Sequence, residues 1–196
     1  YANDTPVRPT NSYNVYTESA TWVKPSTGTM AYVQVWSGGG AGGPATGGNS
    51  AGGGGGGAYM ERYIALASLS ANVAITVGLG GASVSGADQL GGTGGESSFG
   101  AYLVVPGGAG GRAWSGSVNN GGGGAGANSS GSGGTGDGGS PTGALSSSTW
   151  GRPNACNPFG GGGGDTLGVH GGEALYGGGG GGSSAAPPGD SVWGGG

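Results

Sequence analysis

The chain has 196 residues, of which 59 are glycine and only 7% are charged; an average domain carries roughly 7% glycine and about 25% charged residues, so an ordinary globular enzyme is excluded. Glycine falls in blocks rather than at every third position and there are only 10 prolines, which excludes collagen. A net charge of −4 is too small for a charged solvating tail, five scattered basic residues with a pI near 4.6 argue against nucleic acid as a partner, and no window of about 20 apolar residues is present to insert in a membrane.

The sequence opens on Tyr1 rather than Met, without a charged-then-apolar leader, which leads one to expect a processed product or a piece of something longer. Residues 12–16 form a weak strand candidate. Residues 29–36, Thr-Met-Ala-Tyr-Val-Gln-Val-Trp, are apolar on both faces, as in an inner strand. Residues 58–66 are a second weak candidate, and the stretch from Ala65 to Asn72 has room for a single helical turn. Over 72–79 the period-two pattern puts Val73, Ile75, Val77 and Leu79 on one face, and over 97–105 it does the same for Phe99, Ala101, Leu103 and Val105. No segment keeps a helical stripe longer than about ten residues.

A shift in composition falls at Pro106. Residues 1–105 hold most of the large apolar side chains and form a β-rich, sandwich-like region. Residues 106–196 hold 36 of the glycines and only seven Val, Leu or Phe, too few to offset the entropy of ordering such a chain by ordinary burial. The two parts can still make one continuous domain.

Pure glycine blocks recur at similar lengths: the runs bounded by Gly52 and Gly57, by Gly121 and Gly124, by Gly160 and Gly164, and by Gly177 and Gly182. Flexible linkers mix glycine with serine and charge and have no reason to punctuate bare runs with aromatics and proline. Extended polyglycine-II strands have three residues per turn and no internal hydrogen bonds. Laid side by side, without Cβ atoms to hold them apart, they can pair N–H with C=O and add Cα–H···O contacts. The expected fold is therefore all-β: a β-sandwich or jelly-roll-like unit, packed polyglycine-II-type strands and long Gly/Ser-rich loops.

Little here carries chemistry. The one histidine, His170, stands near Asp165 and Glu173, but no Gly-x-Ser-x-Gly elbow follows a strand to supply a nucleophile. Lys24, the one lysine, lies far from any glycine run, so no phosphate loop is formed. Asp137, Asp165, Glu173 and Asp190 are too dispersed for a calcium loop, and Cys156, the single cysteine, excludes an intrachain disulfide or a cysteine cluster. No catalysis, metal or cofactor is expected. What remains is surface recognition, because the glycine-rich half spends its large side chains between the runs: Trp114, Trp150, Phe159, Tyr176 and Trp193, with Arg152 among them. Rigid aromatics on small-residue loops provide contact area at low entropy cost, while packing against the ends of a glycine body is the other reading of each.

The order of five pieces resembles the glycine-rich domains of tailed-phage tail-fibre and tail-tip proteins. These are Thr-Trp-Val-Lys-Pro at 21–25; 28–36 running straight into Ser-Gly-Gly-Gly-Ala-Gly-Gly; the run from Gly52 to Gly57 before Ala58-Tyr59; Ile75-Thr-Val-Gly-Leu-Gly-Gly; and Gly94-Gly-Glu-Ser-Ser-Phe-Gly100. Beyond Arg112 the chain is similar in style to the polyglycine-sandwich tips of T-even-like phage adhesins. The resemblance implies a virion location, outside the cell, and host recognition. It also implies partners among other tail or fibre proteins and a host glycan or outer-surface protein, with a homotrimer as the expected assembly. A structural fibre protein without receptor contact and an ice-binding or cell-wall glycine-rich protein stay open beside it.

Overall fold

A computed structural model describes residues 12–44, 54–86 and 89–111, together with the backbone of four short strands further along the chain. The described residues are essentially all β, the one helical element being a single 3-10 turn at Leu66–Ser68. Four strands form one antiparallel sheet, β1 (Ala20–Val23), β4 (Asn72–Thr76), β5 (Ser97–Phe99) and β6 (Leu103–Val105), in that spatial order. The other two, β2 (Met30–Trp36) and β3 (Tyr59–Ala65), pair antiparallel over their full length as a ribbon that packs on that sheet. Beyond them β7 (Gly139–Ser140) pairs with β8 (Gly143–Ala144), and β9 (Ala174–Tyr176) pairs in parallel with β10 (Ser191–Trp193).

Alternation explains where the core sits. Side chains two apart share a face, so Ala31, Val33 and Val35 of β2 and Met60 and Ile64 of β3 point at Val73, Ile75, Phe99, Leu103 and Val105 of the sheet, with Trp22 closing one side. Trp22 meets Phe99 edge to face at 5.3 Å between ring centroids, a favoured aromatic geometry.

Three expectations from sequence are corrected. Residues 97–105 are not one strand: Gly100, at a φ of 51°, turns the chain back, and β5 pairs with β6 so that Phe99 stands opposite Leu103. That left-handed conformation costs a residue with a Cβ but not glycine. The inward face survives in Phe99, Leu103 and Val105, whereas Ala101 is exposed in the turn. Residues 12–16 form no strand. The 29–36 segment is half of a two-stranded ribbon, and its second apolar face is open to solvent.

The glycine segments continue the strands as extended rods. β2 runs into 37–42, β4 into 78–82 and β6 into 107–111, while rods 54–57 and 91–95 lead into β3 and β5. The 37–42 rod is central and hydrogen-bonds to all four others, through Gly40 N–H to Gly55 C=O, Gly38 N–H to Gly95 C=O, Gly81 N–H to Gly39 C=O and Gly108 N–H to Gly38 C=O, at 2.8 to 3.0 Å. Bonds recur every third residue: Gly38 with Gly95 then Ala41 with Gly92, and Gly94 with Gly108 then Gly91 with Gly111. Burial keeps the same beat in one rod, where Gly91, Gly94 and Ser97 are buried and Thr93 and Glu96 exposed. A three-residue repeat without internal hydrogen bonds is the polyglycine-II geometry. Two serines join the rods to the β layer: Ser37 Oγ accepts Ala58 N–H at 2.8 Å and donates to Pro106 C=O, and Ser97 Oγ accepts Gly78 N–H at 2.8 Å. Rod 107–111 thus lies beyond the compositional shift at Pro106 yet bonds to rods that precede it.

Candidate functional site

With Val33, Val35 and Ile64 turned to the core, the ribbon must present its other alternate residues outward. The register places Trp36 opposite Tyr59, Gln34 opposite Glu61, Tyr32 opposite Tyr63 and Met30 opposite Ala65. Two aromatic pairs therefore flank one amide–carboxylate pair. Tyr32 and Tyr63 stack with centroids 4.5 Å apart, and Trp36 and Tyr59 pack tilted at 4.9 Å; such cross-strand pairs each contribute roughly 0.2–1 kcal/mol to the ribbon. Tyr63 is 69% exposed and Tyr32 and Trp36 47% each, whereas Tyr59 is buried at the foot of its pair.

Polar groups converge between the rings. One Glu61 oxygen accepts hydrogen bonds from the hydroxyls of Tyr32 and Tyr59, and the Gln34 amide donates to the Tyr59 hydroxyl at 2.7 Å and to the same Glu61 oxygen at 3.5 Å. Donation from Tyr32, then from Tyr59, holds the Glu61 carboxyl below its ordinary pKa. Tyr32 is raised, chiefly by its bond to Glu61, and Tyr59 is raised by burial and then by the same carboxylate. The face is a preorganised array of ring surfaces, hydroxyls and one negative charge, with no cation or nucleophile beside it among these residues.

These shifts predict a window of stability. Glu61, depressed when folded, contributes above the unfolded glutamate value of about 4.3, and that contribution is lost as pH falls through its lower folded value. The tyrosines, raised when folded, contribute fully below about pH 10 and lose that contribution as pH rises through their folded values. Urea midpoints measured across pH should form a plateau between the two limbs. Glu61→Gln should flatten the acid limb at this site; an identical acid limb in wild type and variant would show that Glu61 has no part in it.

Of the residues singled out from sequence, Trp114, Trp150, Arg152 and Phe159 lie outside the described residues, as do Gly52, Gly121, Gly124, Gly160, Gly164, Gly177 and Gly182. Tyr176 and Trp193 stand opposite each other in the parallel β9–β10 pair. Gly57 ends the 54–57 rod, where an added Cβ would fall 2.2 Å from the Ser37 carbonyl oxygen. The β2–β3 face is not legible from sequence, because apolar residues on both sides of 29–36 fit an inner strand equally well. The available signal was Gln34 amid those residues, together with the Glu61-Arg62-Tyr63 stretch on its partner.

The model of the glycine-rich domain family matches residues 14–196, nearly the whole chain, while no curated protein and no solved structure matches it. That match spans the β layer and the rods alike, and the chain belongs to the glycine-rich domain family.

Proposed function

We propose that this chain is a non-catalytic recognition component of a phage tail fibre or tail tip, carried on the virion outside the cell and contacting a host glycan or outer-surface protein. The observation that carries the recognition reading is the exposed Trp36, Tyr32 and Tyr63 array around Glu61 and Gln34, held on a ribbon whose other face is core. Ring faces stack on sugar rings or apolar side chains, and the carboxylate and amide supply directed hydrogen bonds to hydroxyls. The virion assignment rests on the ordered likeness of residues 18–112 to tail-fibre domains, and the aromatic residues Trp114, Trp150 and Phe159 belong to the same reading.

Adsorption of the purified protein to candidate host cells tests it. Truncating a true anchor costs about 2 kcal/mol or more, roughly thirtyfold in affinity, so Trp36→Ala and Tyr63→Ala should each weaken binding by that factor with the circular dichroism unchanged. Trp114→Ala and Trp150→Ala, measured alongside, tell whether the aromatics of the glycine-rich half share the contact. If wild type binds and none of the four variants binds less, the aromatic reading fails; if folded wild type adsorbs to no host, the structural-fibre reading replaces it.

Assembly as a homotrimer belongs to this proposal. It is supported by the thin core, which leaves Val23 and Val104 exposed on the outer side of the four-stranded sheet, since apolar surface is buried most readily between copies when a single chain cannot cover it. Sedimentation should give three times the chain mass; a lone 18.0 kDa species rejects the trimer.

A further inference from the structure

The outer face of the β2–β3 ribbon has a definite size as well as a chemistry. Tyr32 and Trp36 lie four residues apart on one strand, as Tyr63 and Tyr59 do on the other, so at about 3.4 Å per residue the two aromatic pairs stand roughly 14 Å apart, with Gln34 and Glu61 midway. Two strands about 4.8 Å apart make this a strip on the order of 150 Å². A stable protein partner covers about 800 Å² on each side and keeps charged residues out of the centre of its footprint. Here a carboxylate holds the centre. The strip fits one thin chain lying lengthwise better than it fits a folded partner.

Its polarity narrows the ligand further. Hydrogen bonds from Tyr32, Tyr59 and Gln34 all arrive at one Glu61 oxygen, and a carboxylate has about four acceptor sites over its two oxygens, so the group can accept from a ligand hydroxyl without releasing its tyrosines. An anionic ligand is repelled by that charge. A cationic one competes for it with the two tyrosine hydroxyls. The two cations among the described residues are engaged elsewhere: Arg62, on the opposite face of β3 from Glu61, donates to the Tyr102 carbonyl at 3.0 Å, and Lys24 donates to the Leu69 carbonyl at 2.8 Å. We infer, resting on the recognition reading of this face, that the strip binds a neutral oligosaccharide lengthwise, with one pyranose ring on Trp36, another on the Tyr32–Tyr63 pair, and adjacent sugar hydroxyls between them on Glu61 and Gln34. A pyranose has apolar C–H faces and a rim of hydroxyls, so a linked run of them offers the same succession of apolar, polar and apolar contacts as the strip.

Adsorption of the purified full chain to host cells, with the cell surface altered chemically, tests this. Periodate cleaves sugars between adjacent hydroxyls and should abolish binding. Affinity should change by less than about threefold between about 0.05 and about 0.5 M salt, because screening acts on charged ligands. Tyr63→Leu, which keeps apolar bulk but removes a ring face, and Glu61→Gln should each weaken binding about tenfold with the circular dichroism unchanged. Binding that survives periodate overturns the inference; if proteinase K then removes it, the ligand is a protein and the recognition reading stands. Periodate-sensitive binding that changes about tenfold or more over that range of salt overturns it in favour of a charged glycan. Periodate-sensitive binding that neither variant weakens overturns it by placing the sugar elsewhere on the chain. Should Glu61→Gln loosen the ribbon, Tyr63→Leu decides alone, since that ring is 69% exposed. If wild type adsorbs to no cell, the recognition reading itself fails and the oligosaccharide with it.

Discussion

Gly40→Ala and Gly94→Ala should each lower the thermal midpoint by roughly 10 °C, whereas Gly80→Ala should leave it unchanged. All three substitutions add one methyl to an extended glycine rod, so propensity and unfolded-state entropy change alike and only the surroundings differ. At Gly40 the new Cβ would fall 2.0 Å from the Ala109 carbonyl oxygen, and at Gly94 2.0 Å from that of Gly38. Both obstacles are backbone, held by bonds on either side, and cannot swing away as a side chain end would. At Gly80 the nearest atom is the Gly39 oxygen at 3.9 Å, ordinary contact distance. Forcing a rod aside would break its bonds to two or more neighbours, an overpacking cost of about 3 kcal/mol or more; in a protein of this size each kcal/mol moves the midpoint by roughly 2–4 °C. Equal midpoints for Gly40→Ala and Gly80→Ala would mean that the rods are not packed as described.

Legibility followed the side chains. Period-two alternation placed Val73, Ile75, Phe99, Leu103 and Val105 on the inward face but ran too far at Val77 and Leu79, which lie past the end of β4, Leu79 being 80% exposed; glycine blocks too bare for linkers announced packed extended strands. The turn at Gly100 stayed hidden because both arms of the hairpin keep the alternation of one long strand. The aromatic face stayed hidden because Tyr32 and Trp36 are as apolar as core residues, and only the exposure of Tyr32, Trp36 and Tyr63 in the folded chain, with no second sheet above them among the described residues, marks that face as a surface. Which rod bonds to which was never legible: glycine carries no side chain to encode a partner. The pairing is inherited from the strands at the rod ends and from Ser37 and Ser97, whose hydroxyls tie backbone groups 69 and 19 residues away in sequence.

That inheritance makes the small core decisive for the rods. Phe99→Ala should cost about 3–5 kcal/mol, the range for emptying a buried aromatic site, against a total of roughly 5–15 kcal/mol for a typical domain. Phe99 is buried, touches the Trp22 ring at 5.3 Å and the Tyr102 ring at 6.1 Å, and ends the strand fed by the 91–95 rod. Few other large side chains can collapse into the space: the buried cluster is otherwise one Ile, two Val, three Leu and an Ala. Leu79, 80% exposed on the 78–82 rod, is the control, and Leu79→Ala should change stability by less than about 0.5 kcal/mol. Urea denaturation followed separately by tryptophan fluorescence and by the amide exchange of Gly38 and Gly94 distinguishes two architectures. If the β layer positions the rods, Phe99→Ala lowers both signals together, since rods made mostly of glycine, whose few larger side chains such as Leu79 and Thr93 point to solvent, have no register of their own. If rod amides keep wild-type protection while the fluorescence transition moves, the glycine bundle stands by itself and the β layer is only its cap.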